Sequence, residues 1–566
     1  MNSSMLSFRF RDPKVFSDVL NKARLSLLIF TLSSCGGGTQ VAGGVGTGGT
    51  GVVAGTVTGF GSLVMDGIAY NSATPRYTAE STTQPSIPVT AMKVPLGGQL
   101  NIQTDTQGNP TSVWINPALV GVVTSVNPTA GTLIVNGMEV VVNSAASSLP
   151  NTFFIGYAGM GAIQLNDRVQ VQGVPGITSS GTPFVQATLI KLMPSNLPIT
   201  RVSGPLAQWN PSQSTFTVNG IPFSFNTGTR FSSPFSNQTL GVGALKNGQW
   251  VNIWSQTPSG TTPLVAGALQ VSTVLPGMSG NITLSGLVSA VQGNQFQVDG
   301  ILVNGANQGG GLAAGQYVTL KGVIDSTTGE VSVRTLSPYI QTPATLSGTI
   351  SEFISTGNFV IRGTPVITNS GTVLTSVNGA TAPLSALQKN IYVAVQGTIQ
   401  GNMVLASSIT VYPSPPADEV VDYLGKVSQY NPSQGTFTLT PFSGSPQQVT
   451  LSAVASFSNG TVANLVNGAL VELEATAVSP QALSAYGVSF WNITNPNLSS
   501  GTLEISGVVY NYVSGSSVFN LNGLSLVLGS GVSLPQGFGN GDNVDVLMTP
   551  SGSQYQVNAI AQDDSN

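Results

Sequence analysis

The sequence holds 566 residues, of which 17 are basic and 21 acidic, with one cysteine and no histidine. Charged residues make up 7% of it, against a usual ~25%, so polarity rests on Ser, Thr, Asn and Gln. Without histidine there is no Ser-His-Asp or Cys-His machinery, no zincin motif and no histidine-held haem. One cysteine leaves no intrachain disulfide or cysteine-ligated cluster, and an acidic chain this poor in Lys and Arg lacks the basic stripe that nucleic acid needs.

The N-terminal stretch reads as an export signal. Arg9, Arg11, Lys14, Lys22 and Arg24 outweigh Asp12 and Asp18, and the apolar run from Leu25 to Leu32 follows. It is too short for a membrane span, which takes about 20 residues. Leu32-Ser33-Ser34-Cys35-Gly36 comes next. This resembles the bacterial lipoprotein signal, which implies a signal peptide over 1–34 and lipidation of Cys35. In such lipoproteins a residue other than Asp after the cysteine implies the outer membrane, with the membrane as a partner through the N-terminal lipid. Residues 35–52 are expected to be a flexible Gly-rich tether spanning on the order of 20–24 Å. Removal of 1–34 leaves 12 basic and 19 acidic groups, a net charge near −7.

The remainder repeats. A Gly-x-Val/Ile/Leu motif begins at Gly55, Gly121, Gly204, Gly286, Gly348, Gly425 and Gly507, and a hairpin turn follows it at Asp66-Gly67, Asn136-Gly137, Asn219-Gly220, Asp299-Gly300, Arg362-Gly363 and Asn522-Gly523. Asn-Gly or Asp-Gly between apolar runs predicts a type I′ turn, because both central residues need positive φ. The sixth repeat carries a longer Pro441–Pro446 loop instead. Later in each repeat a polar turn leads into an alternating strand, as at Leu245-Lys-Asn-Gly-Gln-Trp-Val-Asn-Ile253. The expected β units are 53–117, 118–199, 200–279, 280–342, 343–416, 417–500 and 501–566. Each has five or six short strands and no helical period, enough to curl into a barrel. The predicted fold class is all-β, a string of about seven small OB-like barrels. Seven-bladed propellers have shorter blades of about 40–50 residues.

The lipobox, the tether, the segment GTVTGFGSLVMDGIAY at 55–70 and the tandem units together resemble bacterial outer-membrane lipoproteins with repeats of the five-six-six-six domain of unknown function. The resemblance implies an exported, envelope-attached all-β protein and brings no catalytic residues.

Few residues invite chemistry. Asp418, Glu419 and Asp422 follow a Pro-rich stretch and read as a solvated charged linker. Asp563 and Asp564 read as a frayed tail, while Asp66 and Asp299 are explained by their turns. The binding candidate is aromatic. With Val251 and Ile253 in the buried phase, Trp250, Asn252 and Trp254 fall on the opposite face, and Tyr317 and Tyr392 occupy the position of Trp250 in the next two units. If exposed, this face suits stacking on sugar rings; otherwise it packs a barrel end or a neighbouring unit. The expectation is a non-enzymatic, lipid-anchored envelope protein with a structural, scaffolding or adhesin-like role and no metal or cofactor. The alternative is a multivalent binder of glycans or peptides, and a carboxylate-dependent hydrolase ranks below both. Envelope polysaccharide or other surface proteins are the expected partners, and nucleic acid is not.

Overall fold

The computed structural model describes residues 51–563 apart from 71–74, 82, 144–147, 235–238, 257–261, 306–311, 443 and 494–500. The signal, Cys35 and the tether up to residue 50 therefore lie outside the described residues. Gly51 and Val52, expected at the end of the tether, already belong to the strand Gly51–Phe60.

Every regular element described is a strand or a three-residue 3-10 turn. Unit two shows how the strands join. Leu119–Asn127 pairs antiparallel with Thr132–Val135, which pairs with Met138–Val142. That strand runs parallel to Pro183–Met193, which is antiparallel to Arg168–Ile177, and the latter returns to Leu119–Asn127. The circuit is closed, so its main strands keep no free edge. Units four, five and six close by the same sequence of ladders. In unit three the last strand is split into Leu264–Val265 and Ala268–Val271. In unit seven an isolated Tyr510–Asn520 bridge stands where a ladder would close the circuit.

Local chemistry explains these hairpins. Asn136 and Gly137 have φ of 49° and 73°, and Asn219 and Gly220 have 52° and 77°, which is the type I′ signature. Alternation then sorts the side chains: in Thr132–Val135, Leu133 and Val135 are buried while Thr132 and Ile134 are only half-buried. Each apolar side chain so enclosed contributes roughly 1.5–3 kcal/mol.

The barrels do not hang as separate beads. Val52–Ala54 of unit one pairs in parallel with Ile282–Leu284 of unit four, and Gly59–Phe60 pairs with Thr345–Leu346 of unit five. Units one and five share one continuous core, in which Val57, Phe60 and Leu100 join Leu346, Ile350 and Val395. Val52 and Ala54 belong to the core of unit four.

Candidate functional site

The two repeated motifs of the sequence meet in space. The turn Asn or Asp folds back over the glycine of the first strand. A Cβ on Gly204 would lie 2.2 Å from Asn219 Oδ1, and one on Gly121 would lie 2.1 Å from Asn136 Oδ1. That absent side chain lets Asn219 Nδ2 donate to the Ser203 carbonyl at 2.7 Å, and Asn522 Nδ2 to that of Ser506 at 2.8 Å. Asn136 Nδ2 donates to Val120 at 2.9 Å and also to the Arg201 carbonyl of unit three at 2.9 Å. The turn thus ties its own barrel and also docks on a neighbour.

Outward faces are consumed in the same way. Trp250, Trp254, Tyr317 and Tyr392 leave their own barrels as strand alternation requires, but none is more than 5% exposed. Of the two alternatives for this face, the rings take the packed one and not the exposed ligand-binding one: neighbouring strands and units cover them. Trp250 joins the buried cluster built on the core of unit two, and its Nε1 donates to Ser203 Oγ at 2.7 Å. Half-buried Asn252 accepts from Ser203 Oγ at 2.6 Å and donates to Ser272 Oγ at 2.6 Å. Trp254 packs with Val120 and Ile199. Tyr317 packs with Val174 of unit two, and Tyr392 enters the core cluster of unit six while its hydroxyl donates to Glu419 at 2.9 Å. Cys35 lies outside the described residues.

Three polar nodes join different units. At the first, the Tyr317 hydroxyl donates to Asp66 Oδ1 at 3.2 Å and lies 3.1 Å from Thr56 Oγ1. Desolvation raises the Asp66 carboxyl to about 6, although Thr56, Ser285 and Tyr317 hydrogen bonds oppose the rise. Asp299 goes to about 8, through desolvation first and the charge of Asp66 second. Turn conformation alone does not account for these two aspartates, since the contact between units one and four brings them within electrostatic reach. At the second node, Arg362 Nη2 donates to Glu474 Oε1 at 2.9 Å with both side chains buried. Desolvation disfavours the charge on Arg362, but Glu474 and then Asp422 outweigh it and hold the guanidinium charged. Asp422 is fully buried in the strand Val420–Asn431 and not in a solvated linker; the Pro-rich stretch ends just before it. Burial raises its carboxyl to about 6, with Arg362 opposing. At the third node, Asp563 accepts from Asn459 Nδ2 at 2.6 Å and lies 3.9 Å from Lys93. It is therefore pinned and not frayed; Asp564 lies outside the described residues.

Arg362 is the functional position that sequence reasoning passed over. Its signal was present: a cation stands in the turn where the other tight turns carry Asn or Asp, and a cation folded over a barrel needs a counter-charge.

A cavity of about 270 Å³ is lined from units one, two, five and seven, with Arg362 of the second node and Lys93 and Asp563 of the third on its wall. Leu96, Ile115, Phe153 and Met193 contribute apolar wall, and Lys93, Lys191, Arg362, Glu80 and Asp563 contribute charge.

Comparison with known proteins gives a family match for part of the chain. Residues 120–182, 203–266 and 347–410, within units two, three and five, match the family model described as Domain of unknown function (DUF5666). No curated protein matches the chain. Among solved structures, drosophila Unr CSD456 is similar at 11% identity over 39% of this chain and 97% of that chain, with a TM-score of 0.10. Three stretches of this all-β chain are thus similar to one and the same domain family, at repeated positions along its length.

Proposed function

We propose that the chain is a non-catalytic, lipid-anchored outer-membrane protein whose barrels form a single scaffolding body. One observation carries this reading: the outward faces of the barrels are used to hold one another. Shared parallel ladders join unit one to units four and five, and the buried Arg362–Glu474 pair joins five to six. A body fused in this way holds its remaining surface in fixed geometry, which is what a scaffold or an adhesin-like surface requires of its core. The multivalent glycan-binding alternative loses its main support, since the aromatic rings that would stack on sugars are covered. Cys35, followed by Gly36 and the Gly-rich tether, would supply the anchor, and envelope polysaccharide or surface proteins remain the partners in keeping with an uncharged polar exterior.

Fractionation of cells producing Cys35→Ala tests the anchor. The variant should leave the membrane pellet and appear soluble, and unchanged membrane association would overturn the lipid assignment. A screen of the lipid-free chain against glycoside and ester substrates should give no turnover; saturable turnover would overturn the non-catalytic reading.

A further inference from the structure

Five units lay a further strand segment parallel to their last strand, and each sets one large side chain opposite an aliphatic one. The pairs are Tyr77 with Val113, Phe154 with Ile190, Phe231 with Leu269, Leu374 with Ile409 and Phe457 with Val488. All five aliphatic partners are fully enclosed. The equivalent position in unit four is Leu336, which pairs with Leu320 as Ile190 pairs with Val171. Leu336 is only half-buried. Its strand, Val331–Pro338, meets Ile301–Asn304 at Val331 and Ser332 alone, and beyond Ser332 that edge pairs with no strand among the described residues.

Chain length accounts for the difference. Between the second hairpin strand and the turn into the next ladder, units two, three and five spend residues 143–162, 225–244 and 368–386, and unit four only 305–311. In unit two the crossing from Phe153–Ile155 to that turn already takes 156–162, a stretch as long as 305–311, so unit four has no length to spare for the added strand. Unit seven lacks the strand too, but its residues 529–542 lay Val532, Leu534 and Phe538 on the core. In unit four Leu312, Val333 and Leu336 stay half-buried at the margin of the core.

The edge offers backbone and charge as well. Tyr339 N–H donates to the Tyr317 carbonyl at 2.9 Å. Antiparallel alternation turns Ser337 and Thr335 the same way, so the N–H and carbonyl of Leu336 face out of the ladder. The charged residues of the strands Tyr317–Ile324 and Val331–Pro338 are Lys321 and Arg334, both basic. Lys321 stands beside Thr335 on the outer face, Arg334 is exposed, and neither belongs to an ion pair among the described residues. Glu330, just before the second strand, accepts from Gln295.

We infer that residues 334–338 of unit four are a docking edge for an extended peptide segment of a partner protein, added parallel as a further strand, with a large apolar side chain beside Leu336 and acidic residues flanking it. The apolar residue takes the place that Phe154 and Phe231 hold in their own barrels, and backbone pairing proceeds by strand addition. Alternation turns the flanking acids outward, where Arg334 and Lys321 answer their charge. A second copy of the chain fits worse: edge-to-edge pairing over so few residues falls short of the ~1,200 Å² that a stable interface buries, and it sets two basic edges against each other. This names a partner for the scaffold proposed above and rests on that reading; because the peptide is titrated into the lipid-free chain, its failure would leave the anchor and the lack of turnover as they stand.

The test is a fluorescence-polarisation titration with a labelled peptide copying residues 228–234 of unit three, carrying Arg230→Glu and Ser232→Glu beside Phe231. One control peptide adds Phe231→Ser, and another has lysines in place of the two glutamates. The acidic phenylalanine peptide should bind saturably at one site per chain, at least tenfold more tightly than either control. In the protein, Arg334→Glu at its exposed position should weaken that peptide at least tenfold and strengthen the lysine peptide. Leu336→Ser should abolish binding, and if it does not fold, Arg334→Glu alone decides. The absence of saturable binding, equal binding of the three peptides, or an Arg334→Glu chain that binds as well as the natural one would each overturn the proposal. So would a concentration-dependent dimer in sedimentation that is lost in Leu336→Ser, since it would give the edge to a second copy.

Discussion

Arg362→Asn isolates the charge at the buried node between units five and six. Asparagine stands at the equivalent turn position in units two, three and seven, where φ is 49°, 52° and 47°. The backbone at residue 362, with φ of 49°, should therefore accept it without strain. What is lost is the cation facing Glu474 and Asp422, both wholly enclosed at 0% exposure. Leaving one partner of a buried pair uncompensated costs about 3–5 kcal/mol. The sign of the pH dependence follows from the carboxyls left behind. Deprived of the cation, the Asp422 carboxyl, already raised to about 6 by burial, rises further, so its contribution is fully present below about pH 4 and is lost as pH rises through the raised value. The variant should thus be near wild type at pH 4–5 and worst at pH 8. Hydrogen exchange across units five and six at both pH values reads this locally, which suits a chain too large for a single two-state analysis. Adding Glu474→Gln to Arg362→Asn should recover much of the loss at pH 8. A loss below about 1 kcal/mol at pH 8, or one independent of pH, would refute the role given to this pair.

Asp299→Asn works in the opposite direction. Because the Asp299 carboxyl is raised to about 8, its stabilising contribution is complete below about pH 4 and fades as pH rises through 8. The substitution should be neutral below about pH 4 and increasingly stabilising from there to pH 9, by on the order of a few kcal/mol at the upper end, measured as a shift in thermal midpoint; a destabilised variant at pH 9 would contradict the burial of this group against Asp66. Gly204→Ala places a methyl where Asn219 Oδ1 now lies and breaks its bond to Ser203. It should lower stability by about 1–3 kcal/mol, whereas Gly220→Ala, with open space around it, should cost less, through its positive φ alone.

What was legible in the sequence is what is local. Asn-Gly and Asp-Gly set the turns, alternation separated Val251 and Ile253 from Trp250 and Trp254, and the repeated glycines marked where each first strand passes under its turn. The same alternation reveals which side chains leave a barrel but not what they meet outside it. Thr56 and Tyr317 are 261 residues apart when they touch, and no short-range pattern encodes that contact. Asp422 was misread for a related reason: its neighbours 413–416 have linker composition, while the charge it answers sits in the turn of another unit. The cavity lysines are hidden equally, since Lys93 and Lys191 come from different barrels and are brought together by packing alone.

Small-angle scattering of the lipid-free chain tests most directly whether the barrels are fused into one body. A compact chain of this length has a radius of gyration of about 24 Å, to which the tether adds a little. Barrels fused into one body should give a value close to this and unchanged by salt. A radius above about 35 Å, with the profile of separate barrels on linkers, would contradict it.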